Sequence, residues 1–207
     1  MEKRIITISR EFGSGGRTIG KLVAEHLGIR CYDAELIQKL AAESGFDENY
    51  VKEAGEYTPG GFLASAFTDR SFGPTNEDLL WKLQYRIIRE LAEKANCVFV
   101  GRCADYILEQ ANLDHISLFI AAPFEWRVQR KMEQLSIDEK AATSLVRKKD
   151  KDRKAYYDYY TGRSWGRPHN YDLCINSSRL GIEVTAEKLV EMIRELEKAM
   201  SPVNFDL

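Results

Sequence analysis

Short apolar runs alternate along this chain with longer stretches that have one apolar face. The runs cover residues 4–9, 97–101, 115–121 and 171–176, and their short apolar character is that of buried strands, with β-branched residues most frequent in the first. The stretches between them carry apolar residues three and four positions apart, which is the spacing of an amphipathic helix. Because buried strands that alternate with helices form parallel sheets with right-handed crossovers, the pattern predicts an α/β domain.

Two of the predicted helices are long enough for their buried faces to be assigned. One runs from about Asn76 to Lys94, and its apolar face comprises Leu79, Leu80, Leu83, Ile87, Ile88 and Leu91. The other runs from about Glu183 to Met200, and its apolar face comprises Val184, Leu189, Val190, Ile193 and Leu196. We expect the second helix to pack against the sheet.

The segment from about residue 33 to residue 74 has a different character. Helical pieces at about 34–43 and 48–54 are followed by two helix-breaking stretches, Thr58-Pro-Gly-Gly61 and Ser71-Phe-Gly-Pro74. This pattern predicts a mobile subdomain inserted between elements of the core.

A glycine-rich segment at residues 9–18 follows the first predicted strand and precedes a predicted helix. Glycines can adopt positive φ and turn several backbone N–H groups toward one anion, and the helix adds its free N–H groups and the positive end of its dipole. The segment therefore predicts a phosphate-binding loop made of Gly13, Ser14, Gly15, Gly16, Arg17 and Thr18, with the Thr18 hydroxyl placed to hold Mg²⁺. The alternative is a turn in which glycine serves tight packing alone.

Two positions depart from the usual loop motif, G-x-x-x-x-G-K-[ST]. Glu11 stands at the first glycine and Arg17 at the lysine. Arg17 keeps a permanent positive charge and can hold two phosphate oxygens at once, but it is longer and planar where lysine is compact. Because a carboxylate facing the phosphates would repel them, we expect Glu11 to point away or to pair with Arg10 or Arg17.

The carboxyl ends of the predicted strands define where a ligand would lie. In open parallel sheets, ligands bind beyond these ends, at the point where the strand order reverses. This rule brings the glycine-rich loop, Gly101, Arg102 and the segment after Asn176 to one edge of the sheet. The sequence therefore predicts one site built from three separate segments.

The second half of the chain contains a basic segment followed by aromatic residues. The cations are Arg127, Arg130, Arg147, Lys148, Lys149, Lys151, Arg153 and Lys154, and the aromatic residues are Tyr156, Tyr157, Tyr159, Tyr160 and Trp165. Such a charge run is often a solvated helix face. Basic residues beside aromatic ones also suit a nucleic acid or a mononucleotide. The phosphate-binding loop favours the mononucleotide.

Composition limits the classes of protein that remain. The chain has 207 residues, of which 44% are hydrophobic and 30% are charged, and its formal net charge is −2. This length suits one α/β core with an appendage, and the near-neutral charge does not favour a protein that coats nucleic acid. No apolar stretch approaches the roughly 20 residues that span a membrane, and no signal-peptide pattern is present. We therefore expect a cytosolic protein.

The cysteines and histidines are too scattered to predict a metal site. Cys31, Cys97, Cys103 and Cys174 form no C-x-x-C pair, and the three histidines are equally dispersed. Cys97 and Cys174 lie in predicted strands. We expect both to be small core residues rather than reactive thiols.

Four motifs, taken in order, resemble the cytidylate kinase-like family. They are Ile6-Thr-Ile-Ser-Arg-Glu-Phe-Gly-Ser-Gly-Gly-Arg17, Val100-Gly-Arg-Cys-Ala-Asp-Tyr-Ile-Leu108, Arg147-Lys-Lys-Asp-Lys-Asp-Arg153 and Tyr171-Asp-Leu-Cys-Ile-Asn-Ser-Ser-Arg-Leu-Gly181. The resemblance implies a P-loop kinase-type three-layer α/β/α domain with a five-stranded parallel sheet. Its core would comprise residues 1–33, 76–135 and 170–200, with a helical acceptor-binding insertion at about 34–75 and a helical lid at about 136–169.

The resemblance also implies an activity, which is phosphoryl transfer from ATP, with Mg²⁺, to a nucleoside monophosphate, most readily CMP or dCMP. Small-molecule nucleotides would then be its partners, and the oligomeric state stays open. The alternatives are a kinase for another small acceptor, a catalytically silent nucleotide-sensing module, and an RNA-binding face on the basic segment. Phosphoryl transfer needs positioned cations more than a general base, which suits a chain rich in arginine.

Particular residues inherit roles from this resemblance. Residues Gly13 to Thr18 would hold the ATP phosphates, with Thr18 reaching Mg²⁺, while Ser177 and Arg179 would flank adenine. The acceptor would meet Asp33, Arg102 and Asp150, and Asp105 is the candidate for the aspartate of the family's Gly-Arg-Asp motif, because this chain has Gly-Arg-Cys-Ala-Asp. The catalytic cations would be Arg17, Arg147 and Arg153, supported by Arg127 and Arg130, with Asp150 orienting an arginine or the acceptor base.

Overall fold

The computed structural model describes residues 4–33 and 76–200. Within them, five parallel strands form one sheet in the order β2-β3-β1-β4-β5. The strands are β1 (Ile5–Arg10), β2 (Arg30–Tyr32), β3 (Cys97–Val100), β4 (Ile116–Ala121) and β5 (Leu173–Asn176). The five-stranded parallel sheet is thus confirmed.

Six helices and a short 3₁₀ turn at Pro168–Asn170 accompany the sheet in the described ranges. The helices are α1 (Gly16–Leu27), α2 (Asn76–Lys94), α3 (Ala104–Gln110), α4 (Phe124–Leu135), α5 (Glu139–Thr161) and α6 (Ile182–Met200). Helices α1 and α6 cover one face of the sheet, and α2 and α3 cover the other. This arrangement is the predicted three-layer α/β/α fold.

The register of the strands places the functional edge of the sheet. Ile8 of β1 pairs with Val100, the last residue of β3, so Ser9 and Arg10 extend past the end of β3. On the other side of β1, Arg10 pairs with Ile120 of β4. The carboxyl ends of the central strands therefore meet beside the loop that leads into α1.

The buried helix faces agree with the sequence pattern except at two positions. Val184 and Leu79 are exposed, at 41% and 39% of their accessible surface. The buried stripe of α6 contains Ala186, Leu189, Val190 and Ile193. Because Val184 lies about 200° around the helix from Ala186, it falls on the opposite side, and its assignment to the apolar face was wrong.

The two strand cysteines have different surroundings. Cys97 is fully buried, as predicted, because β3 lies inside the sheet. Cys174 is exposed, and its prediction as a core residue was wrong. The edge strand β5 turns Leu173 and Ile175 toward the core formed with α1 and α6, and its alternate residues face the side that is left open.

Several sequence predictions fall on residues that are not described. The acceptor-binding insertion at about 34–75, including its helical pieces, lies outside the described residues. Across 4–33 and 76–200, no helix combines the length and apolar character needed to cross a membrane. The same residues contain no group of three His, Cys, Asp or Glu side chains that could hold a metal ion.

Candidate active site

The loop between β1 and α1 has the backbone geometry of an anion-binding turn. Gly13 and Gly15 adopt φ values of 86° and 82°, which other residues rarely adopt. Helix α1 begins at Gly16, and its N-cap is Gly15, which has no side chain to cap the first turn. The N–H groups and the positive dipole end of α1 therefore suit a phosphate at this position.

Ser177, which follows β5, supports this loop from beneath. Its hydroxyl is fully buried and donates a hydrogen bond to the carbonyl oxygen of Ser14 at 2.6 Å. The Ser14 hydroxyl in turn donates to the carbonyl of Glu11 at 2.9 Å. The structure thus links Ser177 to the shape of the loop, while Arg179, two residues later, is exposed.

Glu11 does not pair with either arginine that the sequence offered. Its Oε2 atom accepts a hydrogen bond from the backbone N–H of Ala122 at 2.9 Å and lies 3.4 Å from Nε of Arg127. The prediction of Arg10 or Arg17 as its partner was wrong, because the first turn of α4 brings Arg127 to the same end of β4. The carboxylate that replaces the first glycine of the motif is thereby neutralised.

Arg127 ties three elements of the site together. Its guanidinium donates to the carbonyl oxygens of Ala122 and Phe12, at 2.9 and 3.0 Å, and forms an ion pair with Asp150 of α5. Asp150 also accepts a hydrogen bond from the backbone N–H of Phe12 at 2.7 Å. Of the two roles offered for Asp150, orienting an arginine is therefore the one that the contacts support.

Arg17 and Thr18 lie on the first turn of α1, and both are exposed. The Arg17 guanidinium contacts the Asp33 carboxylate, with Nε at 2.9 Å and a second nitrogen at 2.8 Å. Lys21 lies 3.5 Å from the same carboxylate. Arg17, which stands at the lysine position of the motif, is thus directed toward Asp33, just after the end of β2.

Arg130 and Arg147 were also predicted for the site, but only Arg130 contacts the glycine-rich loop. Arg130 of α4 donates to the carbonyl of Gly13 at 3.3 Å, and burial lowers the pKa of its guanidinium. Arg147 is exposed and stacks over the Phe124 ring at 5.3 Å. Arg130 therefore borders the glycine-rich loop. Arg147, in contrast, does not line the pocket that Arg10, Arg102 and Arg153 share.

A pocket opens between the carboxyl ends of β1 and β3 and helix α5. It is lined by Ser9, Arg10, Phe12, Gly101, Arg102, Cys103, Lys149, Asp152, Arg153, Tyr156, Tyr157 and Trp165. Burial lowers the pKa of Arg153 to about 10, and Asp150 partly counteracts this effect. Arg10, Arg102, Lys149 and Arg153 bring four positive charges to this lining, which has one carboxylate, Asp152. The pocket is therefore suited to an anion.

The turn after β3 is held in a strained conformation at the mouth of this pocket. Gly101, Arg102 and Cys103 are consecutive residues with φ of 80°, 61° and 52°. Left-handed backbone is unfavourable for residues with a side chain, and such strain is concentrated at functional sites. The amide of Gln84 donates to the carbonyl of Arg102 at 3.0 Å and helps to hold the turn.

Aromatic side chains attach helix α5 to helix α2. Trp81 stacks on Tyr160 with ring centroids 4.3 Å apart, and Tyr156 donates a hydrogen bond to Gln84 at 3.4 Å. These contacts occupy part of the aromatic cluster that would otherwise be available to stack on bases. They weaken the alternative of an RNA-binding face and place α5 over the pocket.

Asp105 is buried beneath the pocket rather than in its lining. Its Oδ2 atom accepts a hydrogen bond from the Tyr157 hydroxyl at 2.7 Å, and its Oδ1 atom has no hydrogen-bond partner among the described residues. Burial raises the pKa of the Asp105 carboxyl above its ordinary value, although the Tyr157 hydrogen bond counteracts this effect. In this position Asp105 supports Tyr157, which does line the pocket.

Replacement of Asp105 by asparagine is expected to increase the free energy of unfolding at neutral pH by about 1 kcal/mol, because a neutral oxygen replaces a buried, half-satisfied carboxylate. The folded protein retains a proton on Asp105 above the ordinary pKa near 3.9, so wild-type stability falls as pH rises from there through the raised pKa. Urea unfolding at several pH values should show a flatter profile for Asp105→Asn. An unchanged profile would contradict this assignment.

The sequence pattern gave Arg10 no role in ligand binding, although it lines the pocket. Lys149, Tyr156 and Trp165 also line the pocket, and the sequence placed them only in the basic and aromatic segment that could bind a nucleotide or a nucleic acid. For Arg10 a signal was present, since it is a charged residue at the end of an otherwise apolar strand. The other three depend on where α5 and the segment after it cross the sheet.

Known proteins are similar to this chain both in sequence and in structure. The sequence model of a family described as cytidylate kinase-like matches residues 5–179. The cytidylate kinase of Pyrococcus horikoshii is 30% identical over 181 residues, covering 86% of this chain and 82% of that protein. Among solved structures, an uncharacterized protein from Eubacterium ventriosum aligns with a TM-score of 0.71 at 30% identity, over 93% of this chain and 99% of that one.

A more distant solved structure bears on the fold alone. A gluconokinase from Sinorhizobium meliloti aligns with a TM-score of 0.59 at 14% identity, over 95% of this chain and 94% of that one. The fold thus recurs in a kinase with little sequence similarity to this chain. The fold is that of the P-loop kinases.

Proposed function

Because this chain belongs to the cytidylate kinase-like family, we propose that it transfers a phosphoryl group from ATP to CMP or dCMP. Membership of this family and the shared kinase fold identify it as a nucleoside monophosphate kinase-like phosphotransferase. The observation that carries the proposal is the pocket of arginines beside an anion-binding loop at one edge of the sheet. A donor and an acceptor that both carry phosphate would each need N–H groups or cations around them, and the loop and the pocket supply these groups.

The donor side is the loop from Gly13 to Thr18. Its backbone N–H groups and the start of α1 would hold the ATP phosphates, and Arg130 borders the loop through its contact with the Gly13 carbonyl. Oxygen ligands suit Mg²⁺, and Thr18 offers a hydroxyl on the first turn of α1. When bound, ATP supplies the phosphoryl group and Mg²⁺ neutralises part of its charge.

The acceptor side is the pocket between β1, β3 and α5. Arg102 comes from the strained turn after β3, and Arg153 comes from the middle of α5 and donates to the carbonyl of Arg10 at 3.1 Å. These guanidinium groups can hold an acceptor phosphate in line with the donor and neutralise charge that spreads over the transferring group. With α5 over the pocket, water is excluded and hydrolysis of ATP is suppressed.

One observation favours a second candidate, a nucleotide-sensing module without turnover. Arg17, which stands in the position of the motif's lysine, contacts Asp33 in this structure. If this contact persisted with ATP bound, the loop would hold the nucleotide without the cation that the motif's lysine position normally supplies. Turnover measured against binding separates the two functions.

The decisive assay is ADP production from Mg-ATP with CMP, dCMP, UMP, GMP and AMP supplied in turn. We expect stimulation above the ATP-only rate by CMP or dCMP, and Arg17→Ala is expected to weaken ATP binding and lower turnover by about tenfold or more through loss of a charge-assisted contact. Turnover stimulated only by another nucleotide would show that this nucleotide, and not CMP or dCMP, is the acceptor. ATP binding by calorimetry with no stimulated turnover would favour the sensing module.

A further inference from the structure

Arg10 occupies a position that connects the donor loop to the turn after β3. It is the last residue of β1, and its side chain lies against two glycines. A Cβ atom added to Gly16 would fall 2.5 Å from Cβ of Arg10, and one added to Gly101 would fall 1.8 Å from its Nη1 atom. Neither glycine can acquire a side chain unless Arg10 moves, so both glycines make room for this arginine.

The contacts of Arg10 indicate a ligand rather than a protein partner. Its Nε atom is buried and has no hydrogen-bond partner among the described residues. Burial lowers the pKa of its guanidinium well below the ordinary value, and Arg153 and Arg102 add to the effect because they carry the same charge. Leaving a buried donor of this kind unsatisfied is costly, which suggests that an anion completes the site.

The balance of charge in the pocket indicates the kind of anion. Arg10, Arg102, Lys149 and Arg153 line it together with one carboxylate, Asp152. Planar guanidinium groups match phosphate oxygens two at a time. A group with two negative charges and several equivalent oxygens, a phosphate monoester, fits this surplus of positive charge.

We propose that Arg10 binds the phosphate monoester of the acceptor and thereby selects a phosphorylated acceptor over the unphosphorylated nucleoside. This inference rests on the proposed function, to which it adds a specificity-determining residue. Arg17, in contrast, has its guanidinium on the Asp33 carboxylate. The cation at the motif's lysine position and the cation at the end of β1 would then serve different phosphates.

The test compares Arg10→Met and Arg10→Lys with wild type, and uses Arg4→Met as a matched control. Arg4 precedes the same strand at its opposite end and pairs with Glu197, away from the pocket. We expect Arg10→Met to weaken CMP binding about 100-fold, as the loss of charge-assisted hydrogen bonds does, with little change for cytidine or ATP. Arg10→Lys should recover part of the loss, and Arg4→Met should leave CMP binding unchanged.

Titration calorimetry with CMP, cytidine, ATP and inorganic phosphate separates the outcomes. Equal losses for CMP and cytidine, or a loss confined to ATP, would overturn the proposal. If wild type phosphorylates no nucleotide, the proposed function fails, yet phosphate binding that is lost in Arg10→Met would still support an anion site at Arg10. Phosphate binding that Arg10→Met retains when ATP saturates the donor loop would overturn it.

A second variant guards against failure of Arg10→Met to fold. Gly101→Ala keeps the arginine but places a methyl group where Nη1 now lies. We expect it to lower CMP affinity selectively, in the same direction as Arg10→Met. Thermal unfolding establishes that each variant is folded before binding is compared, and a folded Gly101→Ala with unchanged CMP affinity would count against the proposal.

Discussion

Replacement of Arg153 by alanine is expected to lower kcat for phosphoryl transfer about 10³-fold, the loss seen when a positioned arginine is removed from a phosphoryl transferase. Arg153 lines the acceptor pocket, donates to the carbonyl of Arg10 at 3.1 Å and lies over the Phe12 ring at 5.4 Å. In the proposed reaction its charge would stand where negative charge spreads during transfer. ATP is proposed to bind to the loop from Gly13 to Thr18, so we expect its Kd to change little.

Single-turnover kinetics and ATP calorimetry check this prediction together. Lys151→Ala is the matched control, because Lys151 is an exposed cation two residues away on the same helix. We expect the control to retain nearly all activity. A parallel loss of ATP binding and turnover in Arg153→Ala would show that Arg153 supports the donor loop instead, through Phe12 and Arg10.

Replacement of Arg127 by methionine is expected to reduce the free energy of unfolding by about 3 kcal/mol, the loss typical when one partner of a buried ion pair is removed. The Arg127 side chain is 7% exposed, and its carboxylate partners Glu11 and Asp150 are 25% and 19% exposed. Methionine fills similar space but removes the guanidinium from two carbonyl oxygens and from two carboxylates, and the carboxylates then keep only their backbone N–H donors. ATP affinity should fall as well, because the backbone of Phe12 loses its anchor.

Urea unfolding followed by tryptophan fluorescence measures this effect, with Arg163→Met as the control. Arg163 forms an ion pair with Glu109 in which the two side chains are 31% and 50% exposed. Such a pair contributes about 1 kcal/mol or less, so its loss should be small. Equal destabilisation by the two variants would show that the Arg127 network is no more than a surface ion pair.

Local sequence predicted the elements of this fold well. The apolar runs identified four strands, and the spacing of leucine and isoleucine placed helix α2 at Asn76–Lys94, as observed. Glycine at positions 13 and 15 indicated a turn with positive φ, which the backbone confirms. These features depend on propensities and periodicities within a few residues of one another, and such information is present in the chain itself.

The partners of charged residues were harder to predict. Glu11 was expected to point away from the phosphates or to pair with Arg10 or Arg17, and its arginine partner is Arg127, more than 100 positions away in sequence. Cys174 has the sequence context of a core strand, yet it is exposed because β5 is an edge strand with one open face. In both cases the outcome depends on which elements become neighbours in the folded chain.

The sequence by itself determined the α/β class, the glycine-rich turn after β1 and the family resemblance, because each depends on short segments and on their order along the chain. Tertiary structure decided which arginines share a pocket and which arginines are instead paired with carboxylates. Arg10 and Arg17 lie only seven positions apart, but one follows the strand into the acceptor pocket and the other turns on the helix toward Asp33. The reason is geometric, since the register of β1 against β3 and the crossing of α5 over the sheet fix where these side chains lie. Neither the register nor the crossing is encoded in the local sequence.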